Sequence, residues 1–85
     1  MKTFTYVIQD EIGLHARPAG LLVKEAKKYS SQIIIDNGKK TAKANQLFLI
    51  MSLGIKHGEE VKITVEGEDE EIASKELELF FKENL

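Results

Sequence analysis

The chain has 85 residues, 42% of them hydrophobic, with a net charge of -2 and no cysteine. That length holds one hydrophobic core, so a single domain over residues 1–85 is expected, and the lack of cysteine excludes disulfides and thiolate metal sites. A mildly acidic chain lacks the general basic field that drives sequence-independent nucleic-acid binding, and no stretch stays apolar for the ~20 residues that a membrane helix requires.

Residues 3–8, Thr-Phe-Thr-Tyr-Val-Ile, set Phe4, Tyr6 and Ile8 on one face at period two, which predicts a half-buried strand. The same alternation lacks the unbroken apolar run of an export signal, so a cytoplasmic chain is expected. Residues 9–14 read as a loop broken by Gly13. From Ala16 the positions Ala19, Leu22, Val23 and Ala26 follow helical spacing, predicting an amphipathic helix that ends between residues 27 and 30. Lys24, Lys27 and Lys28 near its end suit the negative pole of the helix.

The three isoleucines within residues 32–36 predict a second strand, Asn37-Gly38 a hairpin turn, and residues 40–44 a polar edge strand whose lysines discourage pairing with other chains. Residues 46–53 read as a short helix stopped by Gly54. Six of those eight residues are apolar, yet one stripe alone can be buried, Ile50 and Leu53 with part of Leu47; Phe48, Leu49 and Met51 are left over. Past a loop containing His57, which lacks a second ligand at metal spacing, Val61, Ile63 and Val65 alternate with Lys62, Thr64 and Glu66 in a strand ended by Gly67. Residues 68–71 put acids at the start of a final helix whose Ala73, Leu77, Phe80 and Phe81 face a core. The order βαββαβα predicts an α+β, open-faced β-sandwich. A four-stranded antiparallel sheet has helices on one face and polar alternates on the other.

The chemistry concentrates in Gly13-Leu14-His15-Ala16-Arg17-Pro18-Ala19. A helix start leaves several N–H groups without partners inside the helix and favours a bound anion. Histidine, with an unperturbed pKa of about 6.5, is available there as a neutral nucleophile. Pro18 suits the first turn because it has no N–H to leave unpaired, and Arg17 adds a fixed positive charge with a planar donor fork. An arginine at the positive helix end is locally unfavourable, which argues for an anion beside it.

With the hairpin Asn37-Gly38-Lys39, the run Met51-Ser52-Leu53-Gly54-Ile55 and the acidic stretch Glu66-Gly67-Glu68-Asp69-Glu70, this string makes the whole chain resemble the HPr family, the histidine-containing phosphocarriers of the bacterial sugar phosphotransferase system. The resemblance implies a stoichiometric carrier and not a turnover enzyme. His15 would accept a phosphoryl group on Nδ1 from phosphorylated enzyme I and pass it to sugar-specific IIA components, with the N–H groups of Ala16 and Arg17 receiving the phosphoryl oxygens. It implies no metal and no cofactor, a monomer, and a docking surface of Gly20, Leu21 and Lys24 with Leu47, Phe48 and Met51.

Three positions depart from the family pattern. Gln46 stands where many relatives carry a serine phosphorylated by a dedicated kinase, so that regulatory site is absent. Ile12 replaces a small polar residue, and Gly20 replaces alanine or threonine at a cost of about 0.5–1 kcal/mol to the helix. The alternative reading is a regulatory module that keeps the fold and docks to a transcriptional or metabolic partner. A small RNA-binding domain of similar topology is disfavoured, because the chain has no aromatic-rich sheet motif and no basic balance.

Overall fold

Alternation along the strands decides which side of the sheet is buried. In the computed structural model, which describes residues 1–85, β1 (Lys2–Val7), β2 (Gln32–Asp36), β3 (Thr41–Lys43) and β4 (Glu60–Glu66) form one four-stranded antiparallel sheet in the order β1-β4-β2-β3. The central strand β4 sets Ile63 opposite Phe4 on one side and Ile35 on the other, with Val61 opposite Tyr6 and Val65 opposite Ile33. These alternates line one face. Against it pack Ala19, Leu22 and Ala26 of α1 (Ala16–Ala26), Ile50 of α2 (Leu47–Ser52), and Ala73, Leu77 and Phe81 of α3 (Glu70–Asn84), all in one buried cluster. Phe81 is central to it: the rings of Phe4, Tyr6 and Phe80 meet it edge-on at 5.7, 5.6 and 6.3 Å. The other face carries Thr3, Thr5, Lys62 and Thr64 as expected, together with two apolar members, a half-buried Ile34 and an exposed Val7.

Several local expectations give way to specific contacts. β1 ends at Val7, and Ile8 is buried just beyond it, where its N–H donates to the Glu59 carbonyl at 3.0 Å. α1 closes at Ala26 and runs out in a turn through Lys27 and Lys28. The strand expected over residues 40–44 pairs only at Thr41–Lys43 and is less polar than read, since Ala42 and Ala44 are buried.

Asn37-Gly38 is not a two-residue turn. Both common two-residue turns need positive φ at their first residue, and Asn37 does not have one. The loop spans residues 37–40 because the Asn37 side chain scaffolds it: Oδ1 accepts the N–H groups of Lys39 and Lys40 at 2.9 and 2.8 Å, while Nδ2 donates to the Leu53 carbonyl at 2.8 Å. The hairpin is thereby fastened to the end of α2. In α3, Phe80 is half-buried and not a full core member, and Leu85 takes a core place that the periodicity did not assign. No helix is long and apolar enough to cross a membrane.

Candidate functional site

The loop ahead of α1 is held from two distant parts of the chain. Near its start, the N–H groups of Gln9 and Asp10 both donate to the main-chain oxygen of Leu85, at 2.7 and 2.9 Å. Near its end, the Leu14 N–H donates to the Ile55 carbonyl at 3.0 Å and the Leu14 side chain is buried. Between them Gly13 has φ +84, and a Cβ there would lie 2.5 Å from the Ile55 carbonyl oxygen and 2.8 Å from Lys56 Cα. Only glycine fits so close an approach at that φ.

The loop delivers His15 to the capping position of α1 in an extended conformation, φ -93 and ψ -174, with its carbonyl accepting the Ala19 N–H at 2.9 Å. Its side chain does not cap the helix and makes no hydrogen bond; it is 34% exposed, with Nε2 3.9 Å from Oδ2 of Asp10. The N–H groups of Ala16 and Arg17 have no partner, and Pro18, buried, has no N–H to leave unsatisfied. Arg17 is exposed and in no ion pair, so imidazole, guanidinium and two free N–H groups share one open helix start. The positive end of α1 favours an anion there by about 0.3–1 kcal/mol at an exposed site.

Sequence reasoning missed Asp10. Its Oδ1 accepts the Ile12 N–H at 2.9 Å and its carbonyl accepts the Gly13 N–H at 2.9 Å, folding residues 10–13 into a compact turn. The available signal was Asp10 three residues ahead of Gly13, an aspartate able to bond the backbone two residues on. Ile12, at the tip of that turn, is 71% exposed.

The surplus apolar residues are exposed as expected. Phe48 is 83% exposed, and Leu21, Leu49 and Met51 are also exposed, whereas Leu47 is half-buried against the core. Leu21 and Lys24 are exposed on α1 and Gly20 is half-buried, and α1 packs against α2. Gln46 occupies the capping position of α2 without a side-chain cap. A groove of about 500 Å³ runs between the end of α1, β2 and residues 43–45, and shares no residue with the His15 loop. His15 is partly exposed at the helix start, where a macromolecular partner can reach it.

Residues 2–83 match the family model described as the PTS HPr component phosphorylation site. The phosphocarrier protein HPr of Borreliella burgdorferi is 45% identical over 71 residues, covering 84% of this chain and 83% of that one. Among solved structures, HPr-C-His of Thermoanaerobacter tengcongensis superposes with a TM-score of 0.93 at 44% identity, covering 99% of this chain and 94% of the other. Crh, the Bacillus subtilis catabolite repression protein, solved as a swapped dimer, superposes with a TM-score of 0.78 at 32% identity over 94% of this chain and 92% of its own. The fold and these likenesses agree: the chain belongs to the HPr family, a family of phosphocarrier proteins and not of turnover enzymes by the names its curated relatives carry.

Proposed function

We propose that residues 1–85 act as one cytoplasmic, monomeric carrier domain that takes a phosphoryl group on His15 from phosphorylated enzyme I and gives it to sugar-specific IIA components. The observation that supports this most directly is the partly exposed His15 imidazole beside the unpartnered N–H groups of Ala16 and Arg17. With Nε2 turned toward Asp10, Nδ1 is the ring nitrogen left to attack phosphorus. The electron pair of Nδ1 forms the new N–P bond as the bond to the donor breaks. The two N–H groups and the Arg17 guanidinium then receive the phosphoryl oxygens, and charge-assisted bonds of this kind are about twice as strong as neutral ones.

Leu21, Phe48 and Met51 supply a small apolar patch for docking, with Gly20, Lys24 and Leu47 around it. A patch of that kind suits a partner that binds and leaves quickly. Gln46 has no hydroxyl, so a serine kinase has no acceptor at this position.

Incubation with enzyme I and phosphoenolpyruvate is expected to add one acid-labile phosphoryl group to the wild type and none to His15→Ala. A wild type that stays unmodified in the presence of active enzyme I refutes the carrier reading. The likeness to Crh favours one competing reading, a regulatory docking module, and partner capture that survives His15→Ala together with failed phosphorylation would support it.

A further inference from the structure

We infer that Asp10 is a positioning residue for phosphoryl transfer, holding the proton on Nε2 of His15 while Nδ1 carries the phosphoryl group; this rests on the reading of His15 as the acceptor.

Asp10 is fixed from three directions. Its N–H donates to the main-chain oxygen of Leu85 at 2.9 Å, its own carbonyl accepts from Gly13 at 2.9 Å, and Oδ1 accepts from Ile12 at 2.9 Å. One carboxylate oxygen is thereby committed to the turn. The other, Oδ2, is left facing Nε2 of His15 at 3.9 Å, within ion-pair range although too long for a hydrogen bond. Folding the turn alone requires only Oδ1, so Oδ2 supplies a charge at a place where the loop does not need one.

A carboxylate beside Nε2 favours the tautomer with the proton on that nitrogen, which leaves the lone pair on Nδ1. When the Nδ1 pair attacks phosphorus, the N–P bond to the donor's phosphorylated histidine breaks and its electron pair returns to the donor nitrogen. No proton moves in this step. The acceptor ring keeps its Nε2 proton and becomes a phosphorylated imidazolium, and its new positive charge spreads onto the nitrogen that Asp10 faces. The retained proton then matters in the onward step. With it, the ring departs as neutral imidazole when the N–P bond breaks; without it, the leaving group is an imidazolate, which is far poorer. The same division of labour, a carboxylate that orients an imidazole and stabilises its charged form without taking the proton, operates in serine hydrolases.

The other charged side chain at the site, Arg17 of α1, opposes an imidazolium but is matched by the phosphoryl oxygens. The segment from Ile55 to Lys56 approaches the loop through backbone atoms, at Gly13 and Leu14. Asp10 is thus the one acidic side chain within 4 Å of the ring, with the main-chain oxygen of Leu85 on the Asp10 N–H and Glu11 next to it in the loop.

Asp10→Asn keeps an oxygen acceptor for Ile12 and removes the charge, whereas Asp10→Glu keeps the charge and disturbs the turn. The phosphorylated proteins, with 15N-labelled histidine, are compared at neutral pH by NMR, alongside the rate of return transfer to unphosphorylated enzyme I and a thermal melt. The Asn variant is expected to show a larger deprotonated share at Nε2 and about fivefold slower return transfer, the effect of one solvent-screened charge at this separation. The Glu variant should recover part of both. Wild-type Nε2 protonation and rate in Asp10→Asn overturn the inference. So do equal rate losses in both variants with an unchanged Nε2 signal, which would mark Asp10 as a turn former alone. A wild type that takes no phosphoryl group on His15 removes the carrier reading and this inference with it, whereas a phosphorylated wild type with an indifferent Asp10→Asn removes this inference only.

Discussion

At Gly20 the helix after His15 gives up backbone stability for no packing reason, because a Cβ built there meets nothing within 4 Å. Gly20→Ala is therefore expected to stabilise the fold by about 0.5–1 kcal/mol, through the smaller backbone entropy lost on folding. A higher urea midpoint at unchanged slope is the signature, and a midpoint that stays or falls contradicts it. Gly13 stands at the opposite extreme, with a backbone oxygen and a Cα in the volume that a Cβ would need. Sequence alone marked Gly13 as a loop breaker and Gly20 as a weak point in the helix, but not the backbone atoms that crowd Gly13. The placing of His15, Ala16 and Arg17 at one helix start was legible because a seven-residue string carries them. Asp10 was not, since its role depends on which carboxylate oxygen the turn consumes and on a contact with Leu85 that no local pattern announces.

Between elements, the turn after α1 is tied to the start of α3 by a single carboxylate. Asp69 occupies the capping position of α3 but spends its side chain elsewhere: it accepts the Ser31 hydroxyl and the N–H groups of Ser30 and Ser31, the latter two at 2.9 and 3.0 Å. Those bonds, the Ser31 hydroxyl foremost, hold the Asp69 carboxyl below the usual carboxylate range. A group with a depressed folded pKa adds stability that is fully present above its unfolded pKa, about 3.9, and is lost as pH falls through the lower folded value. Asp69→Asn is accordingly expected to be less stable than wild type at neutral pH, with the gap closing in acid. Unfolding midpoints measured from neutral pH down to about pH 2 test this, and a gap independent of pH would contradict it.

Element order and sheet membership were legible in advance because the period-two and helical patterns here are unmixed, as in Val61, Ile63 and Val65. The Asn37 loop was not, because its side chain answers to Leu53, sixteen residues away. The short α2 was read correctly in its surplus: Phe48, Leu49 and Met51 had no stripe to join, and all three are exposed.

Over the whole molecule, charge is segregated although the total is small. Residues 17–43 hold seven lysines and arginines against two acids, and residues 59–83 hold ten acids against three lysines. The basic segment includes α1, which bears Arg17 and Lys24 beside the proposed docking patch. Encounter with an acidic phosphoryl donor is thus expected to depend on ionic strength through the association rate, falling on the order of tenfold as the screening length shrinks from about 30 Å to 8 Å. The dissociation rate, which the proposed docking patch around Phe48 would govern, should move little. Stopped-flow binding to enzyme I across that salt range separates the two, and an association rate insensitive to salt contradicts steering.

The anchoring of residues 9–14 on Ile55 and Leu85 also bears on when, during folding, the acceptor comes into being. Contacts so distant along the chain close late, after the intervening loop entropy has been overcome. A partly folded chain that has formed α1 but has not docked β4 and α3 holds His15 on an unstructured segment. For the carrier proposed above, competence to be charged is therefore expected to arise only with these long-range contacts.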